Sequence, residues 1–181
     1  MFHRILVALD QSDVSQQAFA TAMAMAKTLN SQLMLVHVLS PAESSFPSPV
    51  FAIHGTYPMF RAEDVELHLK QWQAVQDQIL EFLQAQTAIA TSAGIPTEFT
   101  QALGDPGSTI CSLARNWNAN LIVMGRRGYK GLNELFMGSV SNYVLHHAPC
   151  SVLTVQGTVD LEVDLETASS ATVPTSNAVM T

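Results

Sequence analysis

Charge is scarce in this 181-residue chain. Only 13% of its residues are Asp, Glu, Lys or Arg, about half the usual share of roughly 25%. Bases are scarcer still: eight Lys plus Arg stand against fifteen acids, for a net charge of −7. A generic nucleic-acid binder needs a basic footprint, and this composition argues against one. Four of the acids (Asp160, Glu162, Asp164, Glu166) fall in residues 157–181, which hold no base, so the remainder carries only −3. Cysteine is rare too. Cys111 and Cys150 are far apart in sequence, with no CxxC or Cys/His ligand spacing. That argues against a disulfide framework or a structural zinc site, and points to buried free thiols in a reducing compartment. No apolar run approaches the roughly 20 residues a membrane-spanning helix needs. The opening MFHRILVALD lacks the apolar stretch and small-residue cleavage site of a secretory signal. The expectation is a cytoplasmic protein with no nucleic-acid or membrane partner.

What the chain does have is apolar sequence, 48% of it hydrophobic, in short runs. Ile5 to Leu9, closed by Asp10, is unbroken by polar residues, as is Leu33 to Leu39 apart from His37. Runs without alternation fit a parallel sheet covered on both faces. Between them Ser12 or Asp13 can cap a helix whose Ala18, Ala22, Met25, Ala26 and Leu29 recur at helical spacing, with Asn30 as its stop. Residues 40–60 crowd Pro41, Pro47, Pro49 and Pro58 among aromatics, which excludes a regular helix and reads as a long loop. From about Arg61 to Ala93 a helical stripe of Val65, Leu69, Trp72, Ile79 and Leu83 faces the core, ended by Gly94 and Pro96. Thr97 to Ala102 reads as a strand, and Asp105-Pro106 as a helix start with its cap and first residue. Leu121 to Met124 is a further buried strand, Gly138-Ser139 opens a helix that runs to His147, and Ser151 to Val155 is the last strand. The alternation implies an α/β fold: one five-stranded parallel sheet, Rossmann-like, with right-handed crossovers and helices on both faces. It occupies residues 1–156, and 157–181 reads as an acidic, disordered tail.

In such sheets ligands bind beyond the carboxyl ends of the strands, where strand order reverses. Asp10-Gln11-Ser12, His37-Val38-Leu39 and the stretch from Gly125 to Val140 fall at such ends. The last combines Gly125, Gly128 and Gly138 with Arg126, Arg127 and Lys130, three of the chain's eight bases, and with the hydroxyl of Ser139. Glycines admit a bulky anion to the backbone, and a helix N-terminus offers unpaired N–H groups to phosphate. GxxxxGK[ST] and GxGxxG are both absent. Other residues carry less. Asp10 lacks a second catalytic group, and Ser12, Ser108 and Ser139 lack a nucleophile-elbow context. Adjacent His146 and His147 diverge by about 100° on a helix and chelate one ion poorly. His37 reads as a satisfied core histidine.

The spacing Gly125-x₂-Gly128-x₉-Gly138-Ser139 resembles the ATP-binding motif of the universal stress protein family. ILVALDQSDVS resembles that family's first strand and turn, LMLVHVLS its second strand, and LIVMGRRGYKGLNELFMGSVSNYVLHHAPCSVLTV its last two strands with the helix between. The resemblance covers about residues 2–156 and implies a sheet that holds ATP or AMP, with or without magnesium, between the first, second and fourth strand ends. Carried over by position, Asp10 would meet the ribose or a phosphate-bound metal, and Val38 would offer backbone groups to the adenine edge. Gly125, Gly128, Gly138, Ser139 and Val140 would wrap ribose and phosphates, Arg126 would add charge, and Ala8 and Met124 would pack against the base. One departure is Gln11, where the family commonly has glycine. The implied function is a nucleotide-binding stress sensor or signalling module. Slow ATP hydrolysis or nucleotidyl transfer, and a nucleotide-free dimeric scaffold, are the alternatives; no HxGH-type transfer motif is present. The strand order of the family puts Cys150 to Gln156, an uncharged β-prone row, at a sheet edge, where a homodimer would pair.

Overall fold

A computed structural model describes residues 2–40, 62–126 and 138–156. The proline-rich segment beyond Ser40, together with Arg127, Gly128, Lys130 and the tail 157–181, lies outside the described residues. The elements alternate as expected: β1 (Arg4–Ala8), α1 (Asp13–Leu29), β2 (Gln32–Leu39), α2 (Ala62–Ser92), β3 (Thr97–Leu103), α3 (Pro106–Asn116), β4 (Leu121–Gly125), α4 (Ser139–His147) and β5 (Ser151–Val155). The strands form one sheet in the order β3-β2-β1-β4-β5, parallel throughout.

Local chemistry fixes the helix ends. Ser12, in extended conformation, caps α1 by accepting from Ser15 N–H, and Asn30 ends it in the left-handed region at φ 52°. Asp105 caps α3 by accepting from Ser108 N–H at 3.0 Å, with Pro106 as the first helical residue. Successive strand side chains point to opposite faces, so each unbroken apolar run feeds two cores. Ile5, Val7, Leu33 and Leu35 pack with Phe19 and Ala22 of α1 and Leu83 of α2. Leu6, Val36 and Ile122 pack on the other face with Ile110 and Ala114 of α3 and Val144 of α4. Fully burying one such side chain contributes roughly 1.5–3 kcal/mol. The two helices of that second face meet at Gly107, where a Cβ would lie 2.7 Å from Cδ1 of Tyr143.

Two expectations need correction. Leu69 falls on the predicted core stripe of α2, yet it is 54% exposed, as is Leu67 at 58%. A 31-residue helix extends about 46 Å at roughly 1.5 Å per residue, whereas eight-residue β2 spans about 27 Å. The helix is therefore longer than the sheet it lies on, and among its described side chains those packed on the core begin at Trp72. The thiols differ as well: Cys111 is buried, but Cys150 is only partly so. Both join the α3/α4 face, and burial pushes both thiols above their ordinary range.

Candidate nucleotide-binding site

The chain leaves β1 towards β2 on one side, while β4 lies on the other. Their connections diverge, and a crevice opens at the carboxyl ends between them. Its first wall is the β1–α1 turn. Asp10 N–H donates to Ser15 Oγ at 2.9 Å, and both the N–H (3.0 Å) and the hydroxyl of Ser12 donate to Asp10 Oδ1. Ser15 N–H then donates to Ser12 Oγ at 3.2 Å. These bonds hold the half-buried Asp10 carboxylate at the rim and consume the α1 cap internally.

The second wall is the β4–α4 junction, organised by the backbone of Arg126. Its N–H donates to Val155 O at 2.7 Å, and its carbonyl accepts from Gly138 N–H at 3.1 Å and Ser141 Oγ at 2.7 Å. The start of α4 is thereby fastened beside the end of β4, across residues 127–137. The guanidinium is engaged elsewhere, donating from Nη1 to Gln156 Oε1 at 2.7 Å. Gly138 is the N-cap of α4 at φ −61° and ψ 150°, with no side chain to accept from the first turn. The backbone there is of a kind any residue adopts, so what this glycine supplies, among the described residues, is a helix end without a side-chain cap, with the positive end of the helix dipole and N–H groups that the helix itself leaves without a partner. Ser139 is exposed and Val140 half-buried at that end.

The third wall is the end of β2. Ala8 and Met124 are register partners across β1 and β4. Their side chains lie with those of Val38 and Val140 on the α3/α4 face, a small apolar floor below the polar rim. The structure thus gathers Ala8, Asp10, Val38, Met124, Gly125, Gly138, Ser139 and Val140 around one crevice. Arg126 joins them through its backbone.

Several contributors carry no signal of their own in the sequence. The Arg126 carbonyl is a backbone group. Ser15 and Ser141 are ordinary helix serines, detectable only by their spacing of three from Ser12 and Gly138. His37 departs from the reading of a satisfied core residue: it is 4% exposed, its Nδ1 donates to Leu9 O at 2.8 Å, and its Nε2 has no partner among the described residues. Burial lowers its pKa, against the opposing pull of the Leu9 bond and the Asp10 carboxylate. His147 is held locally, with Nδ1 2.8 Å from Tyr143 O and its ring stacked on Tyr143 at 4.0 Å. Among the described residues no group of three His, Cys, Asp or Glu side chains could hold a metal ion. Among the described residues no helix is long and apolar enough to cross a membrane.

Comparison with known proteins agrees with this architecture. The model of the universal stress protein family matches residues 1–156. Universal stress protein Sll1388 of Synechocystis is 37% identical over 155 residues, covering 86% of this chain and 98% of that protein. Among solved structures, a universal stress protein in complex with cAMP superposes with a TM-score of 0.59 at 21% identity, over 86% of this chain and 97% of that one. A universal stress protein family protein from Arabidopsis thaliana with AMP bound gives 0.56 at 20% identity, over 87% and 94%. At such identity the two structures establish the shared fold.

Proposed function

We propose, because this chain belongs to the universal stress protein family, that it binds an adenine nucleotide in the crevice between β1 and β4 and serves as a stress-response sensor or signalling module. The observation that carries this reading is the uncapped α4 N-terminus at Gly138, fixed by Arg126 opposite the Asp10 turn. Phosphate is the ligand chemistry that such an end favours. In this reading Gly125, Gly128, Gly138, Ser139 and Val140 wrap ribose and phosphates. Ala8 and Met124 pack against the base, Val38 meets its edge through the backbone, and Asp10 faces the ribose or a phosphate-bound magnesium. Relatives of the same fold bind cAMP and AMP, which supports the adenine class; ATP is the further member we assign. Titration with ATP, AMP, cAMP and adenosine, with and without magnesium, followed by calorimetry and thermal unfolding, tests the reading. Ligand at a hundred times its Kd should stabilise the fold by about 2.7 kcal/mol. No response to any of them at millimolar concentration overturns it. Multiple ATP turnovers that vanish in Asp10→Ala would replace it with an enzyme.

A homodimer through β5 accompanies this reading. Arg126 N–H donates to Val155 O, so the polar groups of Val155 face β4. By the two-residue period those of Leu153 do too, while those of Val152 and Thr154 face outward. An uncharged edge of this kind pairs readily with a second copy about a two-fold axis. Val152→Pro should therefore give a folded monomer by light scattering, whereas Leu153→Pro should weaken the fold itself. A folded dimer in both variants rules the arrangement out.

A further inference from the structure

The β1–β2 ladder stops in an unusual way. The two strands pair in parallel as far as Ala8 and Val36, and the last bond is Leu9 N–H donating to Val36 O at 2.8 Å. One further step would bring Val38 N–H to the Leu9 carbonyl. That carbonyl instead accepts from the side chain of the residue next door, His37 Nδ1, at 2.8 Å. Val36 directs its carbonyl towards β1, so the strand period directs the N–H and C=O of Val38 the same way, past the point where β1 turns off at Asp10.

We propose that His37 is a positioning residue for the base: by occupying the Leu9 carbonyl, it holds the ladder open at Val38, whose N–H and C=O then present one donor and one acceptor to the purine edge. The inference rests on the adenine reading above and deepens it. Adenine complements that pair, since its N6 amino group donates and its neighbouring ring N1 accepts. A base presenting a carbonyl and a ring N–H at those positions, such as guanine, inverts the pattern and is disfavoured.

The surroundings of His37 support the assignment. Its ring lies among Leu35 and Leu39 on the α1/α2 face, where packing alone calls for an aliphatic side chain. A carbonyl only accepts, so the ring proton is on Nδ1, and Nε2 is a buried lone pair without a donor among the described residues. Such an atom is a burden on the fold, and an imidazole that brings it is explained by what its other nitrogen does. Burial also lowers the pKa of the ring, and Nδ1–H donates to Leu9 in the neutral and the charged ring alike.

Amide hydrogen exchange on the nucleotide-free protein, with nucleotide titrations alongside, tests the proposal. In the wild type, Val38 N–H should exchange at least a hundredfold faster than Val36 N–H, and bound AMP should slow it. In His37→Leu the Leu9 carbonyl is released to Val38 N–H. The Val38 amide should become at least tenfold better protected, while affinity for ATP, AMP and adenosine falls together by tenfold or more. His37→Gln, which keeps a side-chain donor, should stay within threefold of wild type in both readouts. Equal protection of Val36 and Val38 in the wild type overturns the proposal even if His37→Leu does not fold. So does His37→Leu with unchanged adenosine affinity. A wild type that binds no adenine nucleotide sinks the functional reading instead, and the exchange comparison, made without nucleotide, still decides whether His37 holds the ladder open.

Discussion

The β1–α1 and β4–α4 junctions face each other across the crevice and treat the same structural problem in opposite ways. Every helix begins with N–H groups that lack an intrahelical partner. At α1, Ser12 accepts from Ser15 N–H while Asp10 and Ser15 close the turn around it. At α4 the cap is Gly138, and the nearby Ser141 hydroxyl donates to carbonyls instead of accepting from the turn. Away from the crevice, α3 follows the α1 pattern, with Asp105 accepting from Ser108. The difference separates stability from binding: α1 and α3 start with caps supplied from within the chain, and in the proposed reading the α4 start is left for a ligand.

The largest expected effect comes from making α4 resemble its counterparts. Gly138→Asp supplies the missing acceptor and places a carboxylate where phosphate would lie. ATP affinity should fall by about a hundredfold, or roughly 2.8 kcal/mol, while stability rises by a few tenths of a kcal/mol from the better cap. Calorimetry and thermal unfolding on one preparation read both. Unchanged affinity would mean that phosphate does not use this helix end.

The converse change makes α1 resemble α4. Ser12→Ala removes a cap worth about 1 kcal/mol, lowering Tm by roughly 2–4 °C for a chain of this size. Asp10 loses the Ser12 hydroxyl contact but keeps the backbone N–H of residue 12 and its place at the rim, so ATP affinity should fall by less than tenfold. A loss as large as that of Gly138→Asp would show that the first wall contributes as much to binding as the second.

The contrast between junctions also marks what could be read from sequence. The self-completed helix starts announce themselves: Ser12 ahead of an apolar-periodic run, and Asp105 directly before Pro106, are local signals that need no tertiary context. The sheet was legible for a similar reason, since short unbroken runs such as Ile5 to Leu9, closed by Asp10, fit strands covered on both faces. At the site, the glycine positions and Asp10 were visible as residue types. Their assembly was not, because the fastening group is a backbone carbonyl, that of Arg126. The guanidinium next to it suggested a phosphate contact, and its bond to Gln156 depends on β5 lying alongside. Exposed Leu69 was misread because helical periodicity does not reveal how far the sheet extends beneath a helix. His37 was misread because sequence cannot tell which ring nitrogen is satisfied.

The smallest expected effect concerns the α3 cap, the self-completed start away from the crevice. The N–H and hydroxyl of Ser108 hold the Asp105 carboxyl below its ordinary range. A carboxylate depressed in the folded state contributes stability that is fully present above its unfolded pKa of about 3.9; it is lost as pH falls through the lower folded value. Asp105 is exposed, so the contribution is small and is screened by salt. Asn caps a helix as well as Asp does and does not titrate. Asp105→Asn should therefore match the wild type in Tm to within a degree or so at pH 7, and fall less steeply between pH 5 and pH 3. ATP affinity should be unchanged, because Asn keeps the cap and so leaves α3, and its contact with Tyr143 of α4, in place. Parallel Tm curves down to pH 3 would mean that the carboxylate at this cap gains nothing from its charge. A change in ATP affinity would place α3 in communication with the crevice, and the separation between self-completed and ligand-completed helix starts would fail.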